Sequence, residues 1–353
     1  MAAPATPLES AEDLSAGRAD WPAVPPSYGP VLASQRVHRD SPAGLLPKMQ
    51  ASASYPSPSG ILPVTPADTC SAERPAPSSP HTGLPLQRLN AHPRDARISF
   101  VEQGHIYFLD KATRFPLSVS GVWQKFFAKF DAEYIVNRFF EKWASDDSSK
   151  YYEVIKQSRE AGKDDAAIMH QIKDGWTLKG KQASERGTYM HKQIELCLNA
   201  RDFDDTMPEM EQFFDFRKRW MLDKKWEPWR TEWSIYDEHL MVAGQIDSIF
   251  KDEEGRFHMI DWKRVIHNLD KDSDRRWNRF GRPPLQKLVD NHWSHYAAQQ
   301  NLYAAILADQ YDIRISSMWL LQLHQDRPKF EMHEVDFFLE EAREMLRIAV
   351  EDP

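Results

Sequence analysis

"GQIDSIFKDEEGRFHMIDWKR", residues 244 to 264, decides how the chain folds. Two runs rich in Ile, Phe and Met flank an acidic stretch that ends in Gly255, the pattern of a β-hairpin. A three-residue loop, Glu253-Glu254-Gly255, with the glycine in the left-handed position, makes Asp252 and Arg256 the flanking pair. Counting outward from that pair sets Asp247 directly opposite Asp261 and puts Lys263 two residues further along on the same face.

Carboxylates facing each other across a strand pair repel, so a compensating charge is required. A hard divalent cation supplies one. Mg²⁺ takes one or two carboxylates together with waters and phosphate oxygens, and a neighbouring lysine is placed to orient a water. A charged hairpin rim pointing into solvent is the other reading, and a short D…DxK pattern does not by itself separate the two. Val242, Ile246, Ile249, Phe250, Met259 and Ile260 make both strands apolar enough to be interior, where an unused polar group is expensive.

Working outward, the spacing predicts helices from Trp176 to Asn199 and from Pro208 to about Lys224, then an extended run, "WEPWRTEWSIYD", before the hairpin. After it come a polar stretch to about Lys287, a helix from about Asp290 to Asp309, strands near "RISSMWLLQLH" and "KFEMHEV", and a closing helix from Phe337 to Ala349. Upstream, "RISFVEQGHIYFLD" reads as a hairpin from Arg97 to Asp110. A helical lobe follows from Ser118 to about Lys173, its aromatic residues between Val122 and Trp143 forming a core face rather than a base-stacking platform. Helices, consecutive strands, then helix and strand again define an α/β fold with a central mixed β-sheet flanked by helices.

Of the 24 prolines, 17 lie in the first 93 residues, among Ser, Ala and Thr, so residues 1–95 read as a disordered tail. Such a tail is a candidate docking site for a protein partner. Residues 96–353 then form the folded domain, with 96–174 the hairpin and helical lobe and 175–353 the core. The first twenty residues contain no apolar signal core and carry Glu and Asp where a mitochondrial presequence avoids them, which leaves the compartment open. No apolar run is long enough to span a bilayer, so a soluble protein with no membrane partner is expected. Two cysteines, Cys70 and Cys197, supply neither a disulfide framework nor a cysteine zinc site and fit a reducing, intracellular environment.

The net charge of −8 argues against unspecific attraction to nucleic acid, but the charge is unevenly spread. Between Trp262 and Lys287, eight positive residues face three negative ones, and "DRRWNRFGR" interleaves Arg275, Arg276, Arg279 and Arg282 with Trp277 and Phe280. That composition suits gripping phosphates while stacking a base; a solvated charged loop with its aromatics packed inward is the alternative. His191 and Glu195 are four apart on one helix face and can present an imidazole to the hairpin. Gln299 and Tyr303 likewise share a face, with packing as the plainer role. Glu232, in the strand before the hairpin, reads as an outer carboxylate or a surface acid.

The pattern G-x-I-D, hairpin turn, I-D-W-K resembles the core of the PD-(D/E)XK nuclease superfamily, with Asp261 in the (D/E) place. "RGTYMHKQIE" matches the G-x-x-x-H-x-x-x-E helix of its RecB-like branch through Gly187, His191 and Glu195, and "QQNLYAAIL" matches the Q-x-x-x-Y helix through Gln299 and Tyr303. The core motifs are similar to those of the mitochondrial genome maintenance exonuclease and exonuclease V types, without the four iron–sulfur cysteines of the latter.

The resemblance implies a restriction-endonuclease-like core and a deoxyribonuclease that uses one or two Mg²⁺ or Mn²⁺ ions. It also implies an exonuclease acting on single-stranded DNA ends in repair, recombination or replication. By the same likeness, His191, Asp247, Asp261 and the carbonyl of Trp262 are metal ligands and Lys263 is the catalytic lysine. Gly187 and Glu195 support the site. Arg264, Arg275, Arg276, Trp277, Arg279, Gln299 and Tyr303 face nucleic acid. A catalytically silent nuclease fold that only binds DNA, and a structural interaction protein using the aromatic lobe, are the alternatives.

Overall fold

The computed structural model describes residues 85–275 and 278–351. The chain opens with helix α1 (Leu86–Leu89) and a 3-10 turn (Pro93–Arg97), followed by strands β1 (Ile98–Val101), β2 (Ile106–Leu109), β3 (Thr113–Arg114) and β4 (Leu117–Ser118). Helices α2 (Val119–Gln124), α3 (Ala132–Ser145), α4 (Tyr152–Glu160), α5 (Asp165–Leu198), α6 (Pro208–Phe216) and α7 (Leu222–Lys224) come next, a π turn joining the last two. Strands β5 (Glu227–Asp237), β6 (Val242–Lys251) and β7 (Phe257–Arg264) lead to α8 (His292–Gln310), β8 (Ile315–Leu323), β9 (Glu331–Val335) and α9 (Leu339–Glu351).

β6 and β7 are the antiparallel pair read from the sequence, with Ser248 opposite Ile260 and Lys251 opposite Phe257. The turn is closed by Asp252, whose carboxylate accepts from the Arg256 amide at 2.8 Å and from His258 Nε2 at 3.0 Å. Gly255 takes the left-handed φ of +80° that a side chain would resist. The ladder ends at Ser248–Ile260, one pair short of Asp247 and Asp261. The reason is topological. β5 pairs along β6 on one edge, and β7 and the two-residue β4 share the other, β4 lying parallel to Val242 and Ala243. Between these partners, residues 244–247 of β6 lie at a fork.

Beyond the fork, β7 and β8 run parallel across the α8 crossover and β9 closes the mixed sheet antiparallel to β8. Strand alternation then sorts the core. Ile249 and Met259 pack with α8 and α9, while Phe250, Ile260 and Trp262 pack with Met190 and Ile194 of α5 and with Phe213 and Phe216 of α6. Asp261 and Lys263, in step with Met259, therefore face the α8 layer. The sheet is mixed and flanked by helices, as the sequence pattern predicts. Among the described residues, no helix is long and apolar enough to cross a membrane.

Three differences from the sequence reading have physical causes. Residues 85–95, expected within the tail, are folded onto the sheet, because Leu86 is buried and Asp95 accepts from both Arg230 and Trp233, each at 2.8 Å. The tail expected over residues 1–84 lies outside the described residues. The helix expected from Trp176 starts at Asp165, capped by Asp164, whose side chain accepts from the Ala167 amide at 2.7 Å. It therefore runs straight through the expected boundary at residue 174, with Ile168, Ile172 and Trp176 packing in the lobe against Val136 and Phe140. The first hairpin carries a third strand, β3, too short to leave a periodic signal.

Arg230 is 2% exposed and has Asp95 as its carboxylate partner, so Asp95→Ala strands a buried guanidinium. The variant is expected to lose about 3–5 kcal/mol in urea unfolding. A loss under ~1 kcal/mol would show that residues 85–97 only rest on the sheet.

Candidate metal centre

The fork gathers side chains from four elements. His191 of α5 places Nδ1 3.6 Å from Asp247 Oδ2 and 3.9 Å from Glu232 Oε1. Its Nε2 lies 2.8 Å from the Trp262 carbonyl, so that nitrogen donates and Nδ1 is left with its lone pair toward the two acids. The Trp262 amide in turn donates to Asp247 Oδ2 at 2.9 Å, which fixes the first hairpin acid on the backbone of the strand that carries the second. On that strand Asp261 is 3% exposed, and the Lys263 ammonium sits 2.5 Å from its Oδ2. That contact is an ion pair with poor angles, since Oδ2 gains no well-directed hydrogen bond from it.

The electrostatics follow from burial. Three carboxylates surround one ammonium, and two negative charges are left over if all ionise. Burial, with Asp247 beside it, pushes the Asp261 carboxyl up to about 7 against the pull of Lys263. Burial also raises Asp247, and burial together with the Asp247 charge raises Glu232 well above the carboxylate range. His191 moves the other way, down to about 4, because burial and then Lys263 disfavour its cation. Although burial opposes it, Asp261 and Asp247 hold the Lys263 ammonium above its ordinary range.

A divalent cation fits this donor set. Glu232 Oε1 and Asp261 Oδ2 are enclosed and without a hydrogen-bond partner, the condition that a metal relieves. His191, Glu232 and Asp247 each offer one ligand atom within 4.8 Å of the others, so this group could hold a metal ion. Glu232 is thus a fuller participant than its reading as an outer or surface acid. Its φ of +44° is left-handed inside a strand, and that strained turn breaks the alternation by which a sequence places side chains. Asp261, expected as a direct ligand, lies beside this trio with Lys263 against it. The Trp262 carbonyl, expected as a ligand, accepts from His191.

The supporting residues sort differently. Gln299 donates to the Tyr303 hydroxyl at 3.2 Å, and Tyr303 is 4% exposed, packed where α8 meets β6 at the fork. Gly244 permits that approach, since a Cβ there would stand 2.7 Å from Tyr303 Cε1 and 2.9 Å from Val119 Cγ2. Glu195 is paired with Lys192 at 2.7 Å, and a side chain at Gly187 would meet nothing within 4 Å.

One expected nucleic-acid contact is engaged within the fold. Arg264 is 7% exposed and forms an ion pair with the buried Glu209 at 2.8 Å, so α6 consumes its charge. Arg275 pairs with Asp272 and Arg279 with Asp290, both cations remaining partly exposed. Arg276 and Trp277 lie outside the described residues. Tyr296, absent from the sequence reading, faces Lys263 with its ring centroid 4.5 Å from Nζ. Its signal was present: positions 296, 299 and 303 follow one helix face.

No protein-family model and no curated protein matches the chain. Solved structures give faint likenesses. The protein SSO0001 is 15% identical over 40% of this chain, which spans about half (54%) of that protein, at a TM-score of 0.23. A Eubacterium rectale protein whose name proposes an exonuclease is 11% identical over 67% of this chain and 77% of its own, at a TM-score of 0.30.

The raised Glu232 carboxyl favours folding fully below its ordinary value of 4.5 and loses that contribution as pH rises toward its shifted one. Glu232→Gln is therefore expected to raise the Tm of the metal-free protein over wild type by about 2–4 °C at alkaline pH, with little gain near pH 5. The same variant should bind Mn²⁺ more weakly in calorimetry. An unchanged Mn²⁺ isotherm would remove Glu232 from the site.

Proposed function

We propose that the chain is a metal-dependent deoxyribonuclease of the PD-(D/E)XK, RecB-like kind, hydrolysing phosphodiester bonds as an exonuclease on single-stranded DNA ends. The observation that carries this reading is the convergence of His191, Glu232, Asp247, Asp261 and Lys263 at one fork, with Glu232 Oε1 enclosed and without a hydrogen-bond partner. A structural hairpin rim would turn these charges to water; here they are turned inward. A bound Mg²⁺ or Mn²⁺ would neutralise the scissile phosphate and acidify a water.

The chain's own groups do the rest. His191 carries its proton on Nε2, held by the Trp262 carbonyl, and so presents a lone pair at Nδ1. Asp247 is held by the Trp262 amide, which donates to its Oδ2. Lys263 stays an ammonium at neutral pH and is placed to orient the attacking water and to offset charge gathering on the phosphate oxygens. The helical lobe built on α3, α4 and the first half of α5 is the candidate arch for a single-stranded end, and the residues before Pro85 are a candidate dock for a protein partner.

End-labelled single- and double-stranded DNA, incubated with Mg²⁺, Mn²⁺ or EDTA, tests the reading. Metal-dependent products from single-stranded ends are expected. Lys263→Ala should leave DNA binding largely intact and cut kcat about 10²–10³-fold or more. Asp247→Asn should lose Mn²⁺ binding as well. Wild-type cleavage by Lys263→Ala would sink the assignment, and DNA binding with no products under any metal would leave a silent binding fold.

A further inference from the structure

We infer that Tyr296 is the positioning residue for the Lys263 ammonium, holding it by its ring face in the place from which it acts. This rests on the nuclease reading above and adds to it the group that keeps the lysine aimed.

Lys263 has two anchors. One is Asp261 Oδ2 at 2.5 Å, and the other is the Tyr296 ring, with its centroid 4.5 Å from Nζ. They differ in kind. The carboxylate holds by net charge, and the same carboxylate stands at the centre where a divalent cation is expected. Any cation that draws on the Asp261 charge weakens its hold on the ammonium. The ring holds by its quadrupole, which a neighbouring metal does not consume. As the cation arrives, the aromatic face remains to fix the ammonium position.

Burial makes this contact effective. Tyr296 is 8% exposed and the Lys263 side chain 15% exposed, so water competes little for the ammonium. The ring is itself fixed, because α8 is capped at Asn291 and the His292 ring lies near-parallel to it, at 26° with centroids 6.2 Å apart. His292 is held neutral, down to about 4 by burial and then by His295 and His267, so it places no positive charge beside the ring. The alternative is that Tyr296 merely fills space against the lysine stem. The two differ in whether the ring's electronic character matters.

The test uses the full chain with Mn²⁺ and a single-stranded, end-labelled oligonucleotide. Tyr296→Phe keeps a ring face and should stay within about 2–3-fold of wild type in kcat. Tyr296→Leu should lose about 10–30-fold in kcat with KM and Mn²⁺ affinity unchanged. Phenylalanines of rising ring fluorination at position 296 keep the shape and drain the face, so log kcat should fall step by step. A flat fluorine series, or Phe and Leu variants falling alike, would overturn the inference, as would a loss confined to KM. Lys263→Ala runs alongside. If it cleaves like wild type, the nuclease reading has failed; if it is dead while the fluorine series is flat, only the role of Tyr296 has failed.

Discussion

Three carboxylates enclosed beside one ammonium are the constraint around which the rest of the structure is arranged. Asp247, Asp261 and Glu232 repel one another in a setting where burial pushes each of them toward the neutral form. A fold that buries them without a partner loses stability as pH rises, since the unfolded chain ionises them freely. The protein offsets only part of this through Lys263 and the Trp262 amide. What remains is a standing demand for positive charge at one point, which is how a metal centre differs from an ordinary polar cluster.

Much of the architecture can be understood as keeping that point open. If β6 and β7 stayed paired along their full length, Asp247 and Asp261 would face each other across a closed ladder. β4 takes the β7-side edge of β6 at Val242 and Ala243 instead, and the strands part at residue 247. Gly244 lets Tyr303 press against the opened strand, so α8 wedges the fork on one side. α5 brings His191 from the other layer. The left-handed φ at Glu232 is a local strain of the kind that persists where surrounding contacts over-determine it.

The hairpin register was legible in the sequence as far as Ser248–Ile260, because a period of two and a three-residue turn fix it by counting, whereas the parting of the strands before Asp247 and Asp261 was not. That helices flank a mixed sheet followed from the order of the elements. What escaped depended on contacts between distant segments. Nothing near Arg264 announces Glu209, which lies 55 residues away on α6. A two-residue strand such as β4 has no period to read, and a positive φ at a glutamate defeats alternation. Tyr296 was legible in principle, on the helix face shared with Gln299 and Tyr303, but its meaning appears only once Lys263 stands over its ring.

The length of α5 links these parts. Its first turns are anchored in the lobe through Ile168, Ile172 and Trp176, and its last turns in the core through Met190 and Ile194. Between Trp176 and Met190 no residue of the helix is buried, and Leu178 is 57% exposed. Apart from Arg186, which donates to Gln325, and Tyr189, which donates to Asp204, the helix's own backbone hydrogen bonding carries the lobe's orientation across that span to His191. A helix is stiff over such a distance, so the position of the lobe is coupled to the imidazole that faces Asp247 and Glu232. A span without a buried apolar face is costly for stability, since packing of such a face is what normally supports a helix.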